Sequence, residues 1–211
     1  MQITIKGEDL LLLPEKALFW PKKKILIISD LHVGKATHFR KNAIPVPQDV
    51  EQRNIKALEK LLLKYSASQV IFLGDLFHSR YNTSWELLCD SLRAFPDLDF
   101  VLVQGNHDFL DQRHYEKAGI RVVQTLEISP FLLTHEPMDE IQEHYVISGH
   151  IHPGIKLTDG IRKPMTLPCF WFGAYQAVVP AFGNLTGLYA VEPLEQDQVY
   201  VTAGDQVKQL Q

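Results

Sequence analysis

The sequence has little cysteine and no long hydrophobic run. Its two cysteines, Cys89 and Cys169, lie far apart and form no Cys-x-x-Cys pair, which argues against both a disulfide framework and a zinc ribbon. We expect both thiols to be buried as small apolar groups. No apolar run approaches the ~20 residues that span a bilayer, and the N-terminus has no signal-peptide pattern. The expectation is therefore a soluble cytoplasmic protein that does not associate with membranes.

An excess of positive charge is also missing. The sequence has 21 Lys and Arg residues against 25 Asp and Glu residues, a net charge of -4. Proteins coated by long stretches of nucleic acid draw their affinity from many cationic contacts to phosphates, so this class is disfavoured. An enzyme that contacts a few phosphates locally is still compatible with the charge. With 211 residues, of which 45% are hydrophobic, the chain is expected to form one globular domain over residues 1–211.

Several short apolar runs end in polar residues. The first run, Ile25 to Ile28, has four consecutive apolar residues, which predicts a strand buried on both faces. It is followed closely by Asp30 and His32. In open α/β sheets ligands bind beyond the carboxyl ends of the strands, so these two residues lie where a site is expected. The same pattern recurs at four further predicted strand ends, which carry Asp75, Asn106 with His107, His135, and His150 with His152.

Helical patterns separate the first strands. Apolar residues recur at helical spacing between positions 50 and 65, with Asp49 as the predicted N-cap, and Thr83 to Glu86 form a capping-box pattern. From Ile128 onwards the chain reads as strand after strand. We therefore predict an α/β fold in which two packed mixed β-sheets are flanked by helices.

The polar residues at the five strand ends supply two carboxylates, one amide and four imidazoles, besides His107. Mixed nitrogen and oxygen ligands suit Mn²⁺, Fe²⁺ or Zn²⁺, whereas Mg²⁺ and Ca²⁺ prefer oxygen. Seven ligands exceed the needs of one ion. Two ions that share a bridging carboxylate account for them, and such pairs, ~3.5 to 4 Å apart, can clamp both oxygens of a phosphoryl displacement.

The order of these motifs resembles a known family. Along the chain they read Asp30-x-His32, Gly74-Asp75-x-x-His78, Gly105-Asn106-His107-Asp108, His135 and Gly149-His150-x-His152. This order, over residues 25–153, resembles the calcineurin-like metallophosphoesterases. Within that superfamily, Gly34-Lys35 through Phe39-Arg40, Ile44 to Pro47 and Pro180 to Gly183 resemble the ligase-associated DNA damage response endonucleases of the PdeM type.

The resemblance implies a four-layer α/β/β/α sandwich and a ligand set for two ions, Mn²⁺ first and Fe²⁺ or Zn²⁺ as alternatives. Asp75 is implied as the bridge between them, and His107 as a general acid or hydrogen-bond donor to the leaving oxygen. The implied ligands are Asp30, His32, Asp75 and His152 for one ion, and Asp75, Asn106, His135 and His150 for the other.

The sequence departs from the serine/threonine phosphatase relatives at one place. Where those relatives have an acidic residue followed by Arg, this chain has His78 and Ser79, with Arg80 one position later. An imidazole cannot replace that carboxylate at neutral pH, so a protein phosphatase is disfavoured. Asp108 is the nearest candidate in sequence to orient His107.

Two enzymatic functions compete. The leading one is a metal-dependent phosphodiesterase or nuclease that acts on DNA ends or single strands. The segment from Gly34 to Lys41, predicted as a loop, offers Lys35, Arg40 and Lys41 as phosphate contacts. The alternative is a small-molecule phosphodiesterase or nucleotide-linked pyrophosphohydrolase. Under the first function the resemblance implies association with a DNA ligase, an exonuclease and a helicase. The sequence leaves the oligomeric state open, with a homodimer as one option.

Overall fold

The structure is a computed structural model. It describes residues 1–41, 43, 45–47, 49–139, 143–158 and 164–211, and the side chains of these residues except those of His38 and Lys41.

The first sheet has seven strands whose spatial order follows the chain. Its first four strands are antiparallel neighbours and its last four are parallel neighbours. The strands are β1 (Gln2–Ile5), β2 (Glu8–Leu13), β3 (Ala17–Trp20), β4 (Ile25–Ile28), β5 (Gln69–Leu73), β6 (Asp99–Val103) and β7 (Ile120–Val123).

The second sheet is also mixed. Its strands are β8 (Leu126–Ile128), β9 (Phe131–Leu133), β10 (Tyr145–Ser148), β11 (Pro153–Leu157), β12 (Met165–Phe172), β13 (Gln176–Val178), β14 (Tyr189–Ala190), β15 (Gln198–Ala203) and β16 (Gln206–Gln209). They are arranged β14-β11-β12-β13-β10-β9-β8, with β15 paired to β12 and β16. Because β9 and β10 are parallel neighbours, their carboxyl ends lie at the same edge.

The described helices are α1 (Lys35–Lys41), α2 (Val50–Lys64), α3 (Thr83–Arg93) and α4 (Gln112–Lys117). The predicted N-cap position of α2 is confirmed at Asp49, whereas the predicted cap of α3 is wrong by one residue. Asp49 lies at the start of α2 but makes no side-chain cap; its carboxylate instead pairs with Arg53 at 3.2 Å. The cap of α3 is Asn82, whose side-chain oxygen accepts from the Ser84 N–H, because Asn82 already has the extended backbone that a cap requires.

The core has two main parts, one on each face of the first sheet. Leu26 and Ile28 of β4 face a cluster that includes apolar residues of α2, α3 and α4. Ile25 and Ile27 face the second sheet, where Phe131 and Phe170 are among their partners. This alternation follows from the two-residue period of a strand, and it explains why the run from Ile25 to Ile28 is apolar without interruption.

These features confirm the predicted architecture of two packed mixed sheets with flanking helices. Both cysteines are buried and free, as expected. In the described ranges no helix combines the length and the apolar character that crossing a bilayer requires.

The segment after Gly34, predicted as a loop, is the short helix α1. Its sequence has few apolar residues and therefore no helical hydrophobic period. A tertiary contact accounts for part of its order, since the Thr37 N–H donates to the carboxylate of Glu51, a buried residue of α2, at 3.2 Å. Such a contact between separate segments has no local signal in the sequence.

Candidate metal centre

The carboxyl ends of strands from both sheets meet at one place. Strands β4, β5 and β6 are parallel neighbours, so the residues that follow them lie side by side at one sheet edge. The second sheet reaches the same edge through β9 and β10. Backbone bonds join the end of β4 to the segment that follows β13 of the second sheet: Ser29 forms a bridge with Ala181, and Phe182 N–H donates to Ser29 O at 2.8 Å. All seven predicted ligands are therefore brought together.

The first cluster surrounds Asp30. Its Oδ1 atom lies 3.3 Å from His152 Nε2 and 3.8 Å from His32 Nε2. The two imidazole Nε2 atoms are 3.2 Å apart. Asp75 completes the group, with Oδ2 at 3.6 Å from His32 Nε2. These are the four residues predicted to hold one ion.

The second cluster uses the other oxygen of Asp75. Oδ1 of Asp75 lies 3.5 Å from His135 Nε2. That nitrogen is 3.0 Å from Asn106 Oδ1 and 3.0 Å from His150 Nδ1. The two carboxylate oxygens of Asp75 thus face two different groups of donors.

The donors have the spacing and the chemistry of metal ligands. Atoms that each lie about 2.1 Å from one ion are roughly 3.0 to 3.4 Å apart, close to the spacing of both clusters. Asp30 is fully buried, and among the described residues its Oδ1 has no hydrogen-bond partner. A buried carboxylate oxygen without a partner is costly unless a cation or a donor compensates it. The residues present therefore fit a divalent cation.

Backbone carbonyls fix two of the imidazoles in the tautomer that a metal ligand needs. His135 Nδ1 is 2.8 Å from Leu73 O, and His152 Nδ1 is 3.2 Å from Gly187 O. A carbonyl only accepts, so each Nδ1 carries the hydrogen and each Nε2 keeps a free lone pair. In both residues Nε2 is the atom that faces the carboxylates.

Five of the seven predicted ligand residues have a left-handed backbone. This conformation is uncommon for residues other than glycine, and such residues cluster at functional sites. Their φ angles are 53° for Asp30, 50° for His32, 52° for Asp75, 69° for His150 and 51° for His152.

Burial controls the charge state of the centre. Burial, followed by the charge of Lys35, lowers the pKa of His32 to about 2. Burial raises the pKa of Asp75. His32 is therefore a neutral imidazole, the form that binds metals.

Asp108 does not orient the His107 side chain, contrary to the sequence-based expectation. Its carboxylate accepts from the backbone N–H groups of Asp75 at 2.8 Å, Phe77 at 3.1 Å and Gly105 at 2.9 Å. These bonds hold the loops after β5 and β6 together, and burial raises the pKa of Asp108 to about 6. Because these three backbone N–H groups donate to it, the Asp108 carboxylate binds the backbone and not the His107 ring.

His107 instead lies against His78. Their ring centroids are 3.9 Å apart, and His78 Nδ1 is also 3.1 Å from His32 Nδ1. His107 Nδ1 is buried, and in the described part of the chain it has no hydrogen-bond partner. The imidazole at position 78 thus contacts both a predicted ligand and the predicted acid.

The three predicted phosphate contacts differ in position. Lys35 is half-buried, and its charge acts on Asp30 and Asp75 of the centre. Arg40 is exposed and donates to Pro47 O and Thr37 Oγ1, each at 3.4 Å. The Lys41 side chain lies outside the described part of the structure. Lys35 is therefore the cation placed beside the centre.

Lys16 supports the site from a distant part of the chain and was missed in the sequence. Its partly buried ammonium group donates to Phe182 O at 2.7 Å, and burial lowers the pKa of Lys16 to about 8. The next residue, Gly183, donates its N–H to Asp30 O at 3.1 Å. The Pro180 to Gly183 segment therefore connects Lys16 to the backbone of Asp30. A lysine in a turn carries no local signal for this role.

Gly149 allows the second sheet to approach Asp30 closely. A Cβ at this position would lie 1.7 Å from Ser29 Oγ and 2.6 Å from Asp30 Oδ2. We expect Gly149→Ala to cost about 1 to 3 kcal/mol through overpacking. For a chain of this length that loss lowers Tm by roughly 2 to 12 °C. The displaced Asp30 should also weaken divalent-metal binding about tenfold or more.

Thermal unfolding and Mn²⁺ titration measure the two effects. Gly173→Ala is the matched control, because its Cβ would meet nothing closer than ordinary contacts at 3.5 Å. Unchanged stability and unchanged Mn²⁺ affinity of Gly149→Ala would contradict this packing.

Clustered carboxylate and imidazole donors at the shared edge of two mixed sheets are typical of a metal-dependent hydrolase. The chain belongs to the calcineurin-like phosphoesterase family, whose model matches residues 23–135. It is therefore a hydrolase that acts on phosphoester bonds. The resemblance predicted from the motif order is confirmed.

A solved structure agrees with this assignment. The nuclease MPE of Pseudomonas putida is 30% identical, with a TM-score of 0.86 over 100% of this chain and 99% of the nuclease chain. A protein of unknown function from Aquifex aeolicus is 21% identical, with a TM-score of 0.43 over 61% of this chain and 78% of that one. The second likeness is too distant to carry an argument. No curated protein matches the chain.

Proposed function

We propose that the protein is a metal-dependent phosphodiesterase that cleaves DNA and works with two divalent ions. The observation that carries the two-ion proposal is the position of Asp75, whose Oδ2 and Oδ1 atoms face separate donor groups at 3.6 Å and 3.5 Å. Mn²⁺ is the first candidate and Fe²⁺ or Zn²⁺ the alternatives, because the donors mix imidazoles with carboxylates.

Each ion has a named set of ligands under this proposal. When bound, the ions would neutralise charge on the phosphate oxygens and activate a water nucleophile. Asp75 would belong to both sets and hold the two sites at a fixed separation. The sets are Asp30, His32, Asp75 and His152 for one ion, and Asp75, Asn106, His135 and His150 for the other.

His107 has a different role in the proposal. Its Nδ1 atom is buried, which leaves Nε2 as the nitrogen able to reach a substrate. Burial lowers the pKa of His107. The role we propose for His107 is that of a general acid, which donates a proton to the leaving oxygen. Its ring packs against that of His78, with the two centroids 3.9 Å apart.

Three observations support DNA as the substrate. The nuclease MPE of Pseudomonas putida matches the whole chain at 30% identity. Lys35 lies beside the centre, where it can contact a phosphate next to the one that is cleaved. The patterns from Gly34 to Pro47 and from Pro180 to Gly183 resemble DNA damage response endonucleases. A repair role with a DNA ligase, an exonuclease and a helicase belongs to the same proposal.

A substrate panel tests the proposal directly. Hydrolysis with Mn²⁺ is measured for bis-p-nitrophenyl phosphate, single-stranded DNA, duplex DNA and cyclic nucleotides at matched ionic strength. DNA cleavage by the wild type and its loss in Asp75→Asn, which controls for a contaminating nuclease, would support the proposal. Cleavage of cyclic nucleotides without cleavage of either DNA would reject it in favour of a small-molecule phosphodiesterase.

Neutralising the cations of α1 should separate DNA cleavage from cleavage of a small diester. We expect Arg40→Gln and Lys35→Gln to raise KM for DNA and to reduce the salt slope by about one unit for each phosphate that is no longer neutralised. Arg40→Gln should leave bis-p-nitrophenyl phosphate unaffected, because a small diester has no flanking phosphate. Lys35→Gln should affect both substrates, since the charge of Lys35 also acts on Asp75.

Lys60→Gln provides the control for net charge, because Lys60 is exposed on α2. Full DNA affinity and an unchanged salt slope in both α1 variants would show that these cations are only solvated.

A further inference from the structure

Phe109 lies beside the predicted acid and is largely exposed to solvent. It is 65% exposed, whereas the neighbouring Asp108 and Leu110 are buried. Its ring centroid lies 5.7 Å from that of His107 and 6.4 Å from that of His78. Single exposed apolar side chains are ordinary on protein surfaces. This ring, however, borders the imidazole that is proposed to act on the leaving group, so a substrate in the site would meet it.

The loop that carries Phe109 is held in place on both sides. Asp108 is fixed by the three backbone amides that donate to its carboxylate. Leu110 packs into the core between the first sheet and the helices. The Phe109 N–H itself donates to His107 O at 3.0 Å. Because both neighbours point inward, the Phe109 ring is presented at the rim of the site.

We propose that Phe109 is a stacking platform for the nucleobase of the nucleotide on the leaving-group side of the cleaved phosphate. The inference rests on the proposed DNA-cleaving function and adds a base-binding site to it. His107 would meet the leaving oxygen, so the nucleoside attached to that oxygen lies next to the Phe109 ring. Every base has a π-face, so stacking on an aromatic side chain adds affinity without sequence preference.

The platform also implies a preference among DNA forms. A base within a duplex is already stacked on its neighbours and paired, and it must leave them before it can stack on Phe109. Unstacking costs energy, and the cost is lowest for a base that is already single-stranded. The Phe109 contact should therefore favour flexible single strands and frayed ends over intact duplex.

The test compares two strands with the same backbone charge. One is an oligothymidylate, and the other has the same length but contains tetrahydrofuran abasic residues throughout. We expect Phe109→Ala to raise KM for the oligothymidylate about tenfold or more. On the abasic strand, which has no base to stack, the variant should behave as the wild type. Phe109→Trp should keep the low KM on oligothymidylate, whereas Phe109→Leu, which lacks a π-face, should resemble the alanine variant.

Tyr175→Ala is the matched control, because Tyr175 is an aromatic residue with 56% exposure. Its carbonyl pairs with Val146 near the start of β10, away from the end of the strand where His150 lies. Equal losses on the two strands, or no loss on oligothymidylate, would overturn the stacking role. If the wild type hydrolyses bis-p-nitrophenyl phosphate but cleaves neither strand, the proposed DNA function fails and the stacking proposal fails with it.

Discussion

Replacing Asp75 with Asn is expected to lower phosphodiester hydrolysis by more than about 100-fold and to reduce the bound metal to one ion or none. Changes to groups that only orient a metal ligand already cost about 10- to 100-fold in affinity or activity. Asp75 is placed to do more, because its two oxygens face both donor clusters. An amide supplies one oxygen and no charge, so it cannot serve two cations.

Elemental analysis after dialysis and Mn²⁺ titration by calorimetry measure the metal content of the Asp75→Asn variant. Asp90→Asn is the control, because it removes the same charge from the exposed face of α3. Thermal unfolding of both variants shows whether the fold is intact. Two tightly bound ions with normal turnover in Asp75→Asn would rule out a bridging role for this carboxylate.

The main features of the site could be predicted because the chain repeats one local pattern. Each predicted ligand follows a short apolar run, and such runs identify buried strands with little ambiguity when polar residues end them. The parallel order of β4, β5 and β6 then places Asp30, Asp75 and Asn106 at one edge without further information. Sequence reasoning therefore identified which residues would meet.

The surroundings of these residues could not be predicted in the same way. The Lys16 side chain acts across more than 160 positions of the chain, and the bond from His135 goes to a backbone carbonyl that has no residue-specific signal. The contacts of Asp108 could not be predicted either. Its sequence neighbour His107 suggested a partner, but the nearby backbone amides were better placed to donate to its carboxylate.

The left-handed backbone at the strand ends is a further feature that could not be predicted from the sequence. Local propensity disfavours positive φ at Asp30, His32 and Asp75, so no sequence rule would assign it there. The surrounding structure must therefore hold these residues in place. Backbone bonds from His32 N–H to Asp75 O at 2.8 Å and from Asp30 N–H to Gly74 O at 3.2 Å supply part of that restraint.

His107→Ala is expected to cut turnover on a substrate with a poor leaving group by about 10²- to 10⁴-fold, the usual range for the loss of an acid catalyst. The metal content should stay at the wild-type level, because His107 belongs to neither donor cluster. A DNA strand is the poor-leaving-group substrate, since the departing alkoxide needs a proton. Bis-p-nitrophenyl phosphate is the comparison, since p-nitrophenolate leaves with little protonation.

The contrast between these two substrates separates proton donation from a structural role. If His107 donates a proton, the loss of turnover must be much larger for DNA than for the p-nitrophenyl ester, and it must appear in kcat. If the ring only supports the site through its contact with His78, both substrates must lose turnover equally. His114→Ala is the matched control, because the His114 ring packs against Tyr81 with centroids 4.9 Å apart and belongs to neither donor cluster. Equal losses in His107→Ala, or a loss of bound metal, would therefore exclude the acid role and leave His107 as a packing residue between His78 and Phe109.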